Sequence, residues 1–124
     1  MARQIMVLDS QREQMKANWL KGSVLAESDC DDIHDPRPVV KLFNPCGAAT
    51  WLLTELVPDE DGDLAFGLCD LGMGFPEIGY VSLEELAGIA LAGGLYIERD
   101  EHFTANKTLS EYAADARRLG RIEV

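Results

Sequence analysis

The runs Pro38-Val-Val-Lys-Leu-Phe43, Ala49-Thr-Trp-Leu-Leu-Thr-Glu-Leu-Val57, Leu64-Ala-Phe-Gly-Leu-Cys-Asp70 and Ile78-Gly-Tyr-Val81 decide the fold. They are rich in β-branched and aromatic residues, and their period is two, that of a strand whose successive side chains point to opposite faces. Between them stand Asn44 to Gly47, Pro58 to Asp63 and Gly72 to Pro76, turn-rich links too short for a parallel crossover. The reading is an antiparallel meander of four strands. Leu95 to Arg99 alternates too and adds a fifth at an edge, where two chains could pair as a homodimer.

Around this meander three hydroxyl residues are each followed three positions later by Glu: Ser10 and Glu13, Ser82 and Glu85, Thr108 and Glu111. Each pair can satisfy two free N–H groups at a helix start, as a capping box. The first helix is expected from about Gln11 to Lys21, with Leu8 at its entry, Met15 and Trp19 a turn apart, and Gly22 as its stop. The second aligns Leu83, Leu86, Ala87 and Ala90 before Gly93 and Gly94. The third aligns Leu109, Tyr112, Ala113 and Ala116. The fold class is therefore α+β: a four- to five-stranded antiparallel meander with about three helices packed mainly on one face, residues 1–124 forming a single domain.

Composition bounds the function. The chain has 124 residues with 47% apolar and 27% charged, the usage of a folded globular protein. Its 22 acidic residues outnumber 11 basic ones for a net charge of −11. No Lys/Arg cluster is present to release counterions from phosphates, so direct nucleic-acid binding is disfavoured, as is an anionic membrane surface. The partner expected is another protein, and a basic one suits the charge. Three cysteines, Cys30, Cys46 and Cys69, make no disulfide framework and no C-x-x-C motif. Met1 to Leu8 lacks the apolar core of a secretory signal, and Leu86 to Leu95 is too short and too glycine-rich to span a bilayer. The expected location is the cytoplasm.

Motifs with chemistry are scarce. Asp59, Asp61 and Asp63 surround Gly62 like part of a calcium loop, but the glycine comes too early and Asp70 stands where a bidentate Glu is required, so an acidic turn is the reading. Gly72-Met73-Gly74 lacks the third glycine and the following helix of a dinucleotide site. Cys30, His34 and Cys46 do not complete a zinc site, because His102 is the only other imidazole. No cofactor and no catalytic residue is assigned. In Trp51 to Glu55, strict alternation puts Trp51, Leu53 and Glu55 on one face and Leu52 and Thr54 on the other. Trp51 is expected in the core and Glu55 at the solvated end. Arg99 between Glu98 and Asp100 suits a structural ion pair.

From Arg37 onward the chain resembles a small uncharacterised family of bacterial, plasmid and phage accessory proteins, domain of unknown function number 2958. The resemblance lies in Pro38 to Pro45, Ala49 to Glu55, Ala65 to Asp70, Glu77 to Leu86, and Gly94 to Asp100 leading to Phe103. Tyr96 stands where the family more often has Pro, and the helix after Thr108 lies outside the recognised part. The resemblance implies an accessory role beside mobile elements and supplies no activity, cofactor or catalytic residue.

Three functional readings follow. The first is a non-enzymatic module that binds another protein, with Trp51, Thr54, Glu55, Glu77, Tyr80, Glu98 and Arg99 as candidate binding residues. The second is a DNA mimic whose stripe of Asp29, Asp31, Asp32, Asp35, Asp59, Glu60, Asp61 and Asp63 blocks a nucleic-acid enzyme; duplex DNA places a charge about every 1.7 Å of axis, so its acids must be regularly spaced. The third is a small enzyme using an open sheet face or the Gly72 to Pro76 loop, which requires Glu77, Tyr80 and Arg99 to converge in a cleft.

Overall fold

The alternating runs form strands β1 (Val40–Phe43), β2 (Thr50–Leu56), β3 (Leu64–Asp70) and β4 (Glu77–Ser82), each antiparallel to the next. A two-residue strand β5 (Glu98–Arg99) joins on the far side of β1, so the sheet order is β4-β3-β2-β1-β5. The computed structural model describes residues 3–27, 33–58 and 63–124. Its helices are α1 (Asp9–Glu27), α2 (Leu83–Ala87) and α3 (Leu109–Leu119), with a single 3-10 turn at Ala92–Gly94.

The period of two sorts the core into two layers. Val40, Leu42, Trp51, Leu53, Leu56 and Ala65 pack on one side of the sheet with Met15 of α1, Leu83 and Leu86 of α2, and Ile97. Leu52 and Leu68 pack on the other against Leu109, Tyr112, Ala113 and Ala116 of α3. Two helices thus cover one face and the third covers the other. Apolar side chains in the middle of the sheet are thus covered on both faces, while Ile78 and Tyr80 on β4 stay exposed.

Helix ends follow local chemistry, with two departures from expectation. At α3 the capping box is complete, Thr108 N–H donating to Glu111 Oε1 at 2.9 Å, and Gly120 with φ 78° ends the helix. At α2 the Ser82 hydroxyl accepts from the Glu85 N–H at 3.2 Å. This helix stops at Gly88 and leaves Ala90 outside it. Residues 88–90 are exposed, so another turn would bury nothing after Leu86. α1 starts earlier than expected, at Asp9, and the Leu8 N–H donates to Gln11 Oε1 at 2.9 Å. Gln11 does the work expected of Glu13, and Ser10 sits within the first turn. The helix also runs straight through Gly22.

One irregularity shapes the rest. Leu53 stands opposite Gly67 but Glu55 stands opposite Phe66, so Thr54 is an extra residue in β2, a β-bulge. The Thr54 hydroxyl donates to the Phe66 carbonyl at 3.2 Å. Here β2 comes so close to β3 that a Cβ on Gly67 would overlap the Leu52 carbonyl oxygen and lie 2.7 Å from Leu53 Cα. Only glycine fits. Gly67→Ala is therefore expected to cost about 3 kcal/mol or more by urea denaturation. Gly79→Ala on β4, where a Cβ meets nothing within 4 Å, is expected to leave stability unchanged or raised.

Candidate functional site

At the bulge Glu55 stands opposite Phe66, and Leu56, opposite Ala65, lies on the side of Trp51 and Leu53. Strict alternation put Glu55 with Trp51 at a solvated end; instead Glu55 is only 6% exposed. Its carboxylate lies 2.6 Å from His34 Nε2, its single polar side-chain partner among the described residues. The imidazole in turn rests on α1. A Cβ at Gly22 would sit 2.7 Å from His34 Cδ2, so Gly22 is a notch for the ring and not a helix stop. Trp19, Gly22, Ser23, His34 and Glu55 line a small cavity of about 160 Å³. An imidazole on a carboxylate can move protons. Here the pair serves as a clasp, joining residues 33–38 to α1 and the sheet.

The other expected site residues separate into distinct places. Trp51 is 4% exposed and belongs to the core, as expected, opposite Cys69, whose thiol burial pushes up to about 11 and so makes unreactive. Thr54 is the buried bulge residue. Glu98 and Arg99 on β5 line a depression of about 590 Å³ with Gln4, Lys41, Phe43 and Asp100 to His102. Arg99 does not pair with Glu98 or Asp100: its guanidinium donates to the Ile5 carbonyl and lies 3.7 Å from Glu101. Asp100 accepts from the His102 N–H at 2.9 Å and lies 3.2 Å from Lys41 Nζ, and these contacts hold its carboxyl below the usual range. Glu77 and Tyr80 stand on β4 at the other edge of the sheet, about 19 Å from β5 at roughly 4.8 Å per strand. Glu77, Tyr80 and Arg99 therefore do not converge in one cleft.

The acidic set is only partly visible. Asp29, Asp31, Asp32, Asp59, Glu60 and Asp61 lie outside the described residues. The two that are described have structural roles. Asp63 sits 3.7 Å from Arg12, and its carbonyl accepts from the Leu83 N–H at 2.7 Å. Asp35 caps α3 from a distant loop, accepting from the Ser110 N–H at 3.0 Å and from the Ser110 hydroxyl. Partial burial pushes its carboxyl up, but the hydrogen bonds from Ser110 and Thr108 outweigh this and hold it below its ordinary value. Cys46 lies at the β1–β2 turn and His34 is engaged by Glu55. Among the described residues no three His, Cys, Asp or Glu side chains are grouped to hold a metal ion, and no helix is long and apolar enough to cross a membrane.

The two edges of the sheet are finished differently. The Arg99 N–H and C=O point away from β1, and the Gln4 side-chain amide takes both, at 2.7 and 3.1 Å. Gln4 imitates the next strand, so the edge expected to pair between chains is closed. At the other edge the Leu83 N–H bonds the Asp63 carbonyl, which fixes the ladder's phase. Glu77, Gly79 and Val81 then point their backbone groups at β3, and Ile78 and Tyr80 point theirs outward. Among the described residues these outward groups have no partner. Beside them lie exposed Leu71, Met73 and Phe75, the last two 73% and 80% exposed. Gly74 to Ile78 and Arg117 of α3 line a groove of about 600 Å³. Arg117 makes no ion pair among the described residues. No sequence signal marked Met73, Phe75 or Arg117; the run of apolar residues among the Gly72 to Pro76 turn glycines was the clue available.

Comparison with known proteins gives one match. A family model described as "Protein of unknown function (DUF2958)" matches residues 6–123. No curated protein and no solved structure matches. The match takes in α1 and α3, so the helix after Thr108 lies within the family's span and the likeness begins well before Arg37.

Two predictions test these roles. Gly22→Ala should cost about 1–2 kcal/mol in the native chain, because the ring must leave Glu55, yet in a His34→Ala background it should stabilise by roughly 0.5–1 kcal/mol through helix propensity. His34→Ala alone should cost about 2–4 kcal/mol by leaving a buried carboxylate unpaired; strict additivity in urea titrations would remove the clasp. For Asp35, a folded-state pKa below the unfolded one means stabilisation that is complete above the unfolded value and lost as pH falls through the folded one. Below roughly pH 4, Asp35→Asn should therefore show a shallower loss of stability than the native chain.

Proposed function

The chain belongs to the DUF2958 family, and from that premise we propose that it is a non-enzymatic protein-binding module that receives a partner's strand along β4. The observation that carries this reading is the contrast between the edges. β5 is sealed by Gln4, whereas β4 presents the outward N–H and C=O groups of Ile78 and Tyr80 beside exposed Met73 and Phe75. Native sheets cover such an edge or charge it, and an uncovered apolar edge marks a place where another chain pairs. Strand addition supplies affinity through main-chain hydrogen bonds and selectivity through alternate side chains. Tyr80 is held by Phe66, ring centroids 5.1 Å apart, so it is already ordered for contact.

The partner on this reading is a protein, met in the cytoplasm, and an accessory role beside mobile elements suits a chain that acts by holding another. The acidity then governs solubility and the approach of partners over the rest of the surface, while the docking groove itself offers Arg117.

Ile78→Pro removes an outward N–H without touching the β3 ladder, so it should keep the fold. With tagged chains as bait in host extract, proteins retained by the native chain, untagged copies of itself included, should be lost with Ile78→Pro and kept with Gln4→Ala. Equal retention by the native chain and Ile78→Pro would remove β4 as the docking edge.

A further inference from the structure

We infer that the strand received by β4 is the β4 of a second copy of this chain, paired antiparallel about a two-fold axis through Gly79. This rests on the docking reading above and names its occupant. An isologous dimer needs a self-complementary surface, and this edge meets that condition in backbone, side chains and charge.

The backbone comes first. Only Ile78 and Tyr80 in the middle of β4 point their N–H and C=O groups outward. A two-fold at Gly79 sets Ile78 of one copy opposite Tyr80 of the other, twice, as hydrogen-bonded pairs that satisfy all of these groups. Gly79 then faces Gly79 in a non-hydrogen-bonded pair, where the strands approach most closely, and the place of its Cβ has nothing within 4 Å. Side chains follow. Ile78 and Tyr80 stand opposite Leu68 and Phe66, on the face α3 covers, so each cross-copy pair is aliphatic against aromatic, a favourable combination in sheets. Phe75, 80% exposed, lies just before this paired stretch, at the end where Val81 of the second copy stands opposite Glu77.

Charge completes the match. Arg117 lines the groove beside Gly74 and Glu77. The pairing ends with Glu77 opposite Val81 of the second copy, so the start of that copy's α2, with Glu84 and Glu85, follows at the same end as this groove. Glu84 and Glu85 are exposed and, like Arg117, make no ion pair among the described residues. The two-fold thus brings an unpaired cation toward unpaired carboxylates twice over, although each chain carries a net charge of −11.

Sedimentation equilibrium of the full chain tests this, with the mass expected at twice 13.7 kDa at micromolar concentration. Ile78→Pro should return the mass to one chain with its circular dichroism unchanged, and Arg117→Glu should weaken the dimer roughly tenfold. Independently, Gly79→Cys in a chain with Cys30, Cys46 and Cys69 changed to Ser should form an intermolecular disulfide on mild oxidation, whereas Glu98→Cys in the same background should not. A single-chain mass up to millimolar concentration, a dimer indifferent to Ile78→Pro, or no cross-link at position 79 would each overturn the inference. A monomer that still loses host proteins on Ile78→Pro would overturn self-pairing and leave the docking reading intact; a monomer whose retained proteins ignore that substitution would remove both.

Discussion

The extra residue Thr54 in β2 is the constraint on which much else depends. A sheet strand with a period of two and a carboxylate among apolar neighbours must either expose that carboxylate or find it a partner. The bulge takes the second course. Next to it Glu55 is closed on His34 at 2.6 Å. The same bulge brings β2 so near β3 that position 67 must be glycine, and the imidazole it recruits presses on α1 so closely that position 22 must be glycine too. Two glycines far apart in sequence thus answer to one local change in register.

That chain of dependence also explains what the sequence made legible. Strand period, short links and two of three capping signals were local, and each produced the expected element: β1 to β4 in order, α2 opening at Ser82 and α3 at Thr108. Trp51 fell in the core for the same reason. The misreadings share one cause, which is that tertiary contact overrode a local rule. Gly22 reads as a stop until His34 is seen against it. Ser10 reads as a cap until Gln11 takes the Leu8 N–H. Glu55 reads as solvated because a bulge leaves no mark on a period of two except a strand glycine, and Gly67 was that mark. A glycine inside an apolar alternation signals a bulge or a close backbone approach, and here it signals both.

Among the candidate binding residues, the sequence could name side chains without saying which of them meet. Glu77 and Tyr80 share β4, Glu98 and Arg99 share β5, and three strands stand between. Strand order is a property of pairing, and the late strand β5 returned to β1 instead of extending the meander at β4. That return left β4 outermost. A fifth strand beside β4 would have covered Ile78 and Tyr80 and left β1 as the bare edge.

The two edges then pose a question of design that backbone chemistry answers. A sheet edge must have its donors and acceptors met by water, by side chains or by another strand. β5 uses a side chain, since a single glutamine amide matches the one outward residue of a two-residue strand. β4 is six residues long, and its outward groups on Ile78 and Tyr80 are spaced as only a strand's are. An amide side chain could serve one of those positions and not both. The exposed aromatic and thioether side chains beside them would gain nothing from water. On the proposed docking reading a partner whose main chain repeats at the same interval meets both, and another copy, whose own β4 carries the same pair of residues about the same glycine, has that repeat.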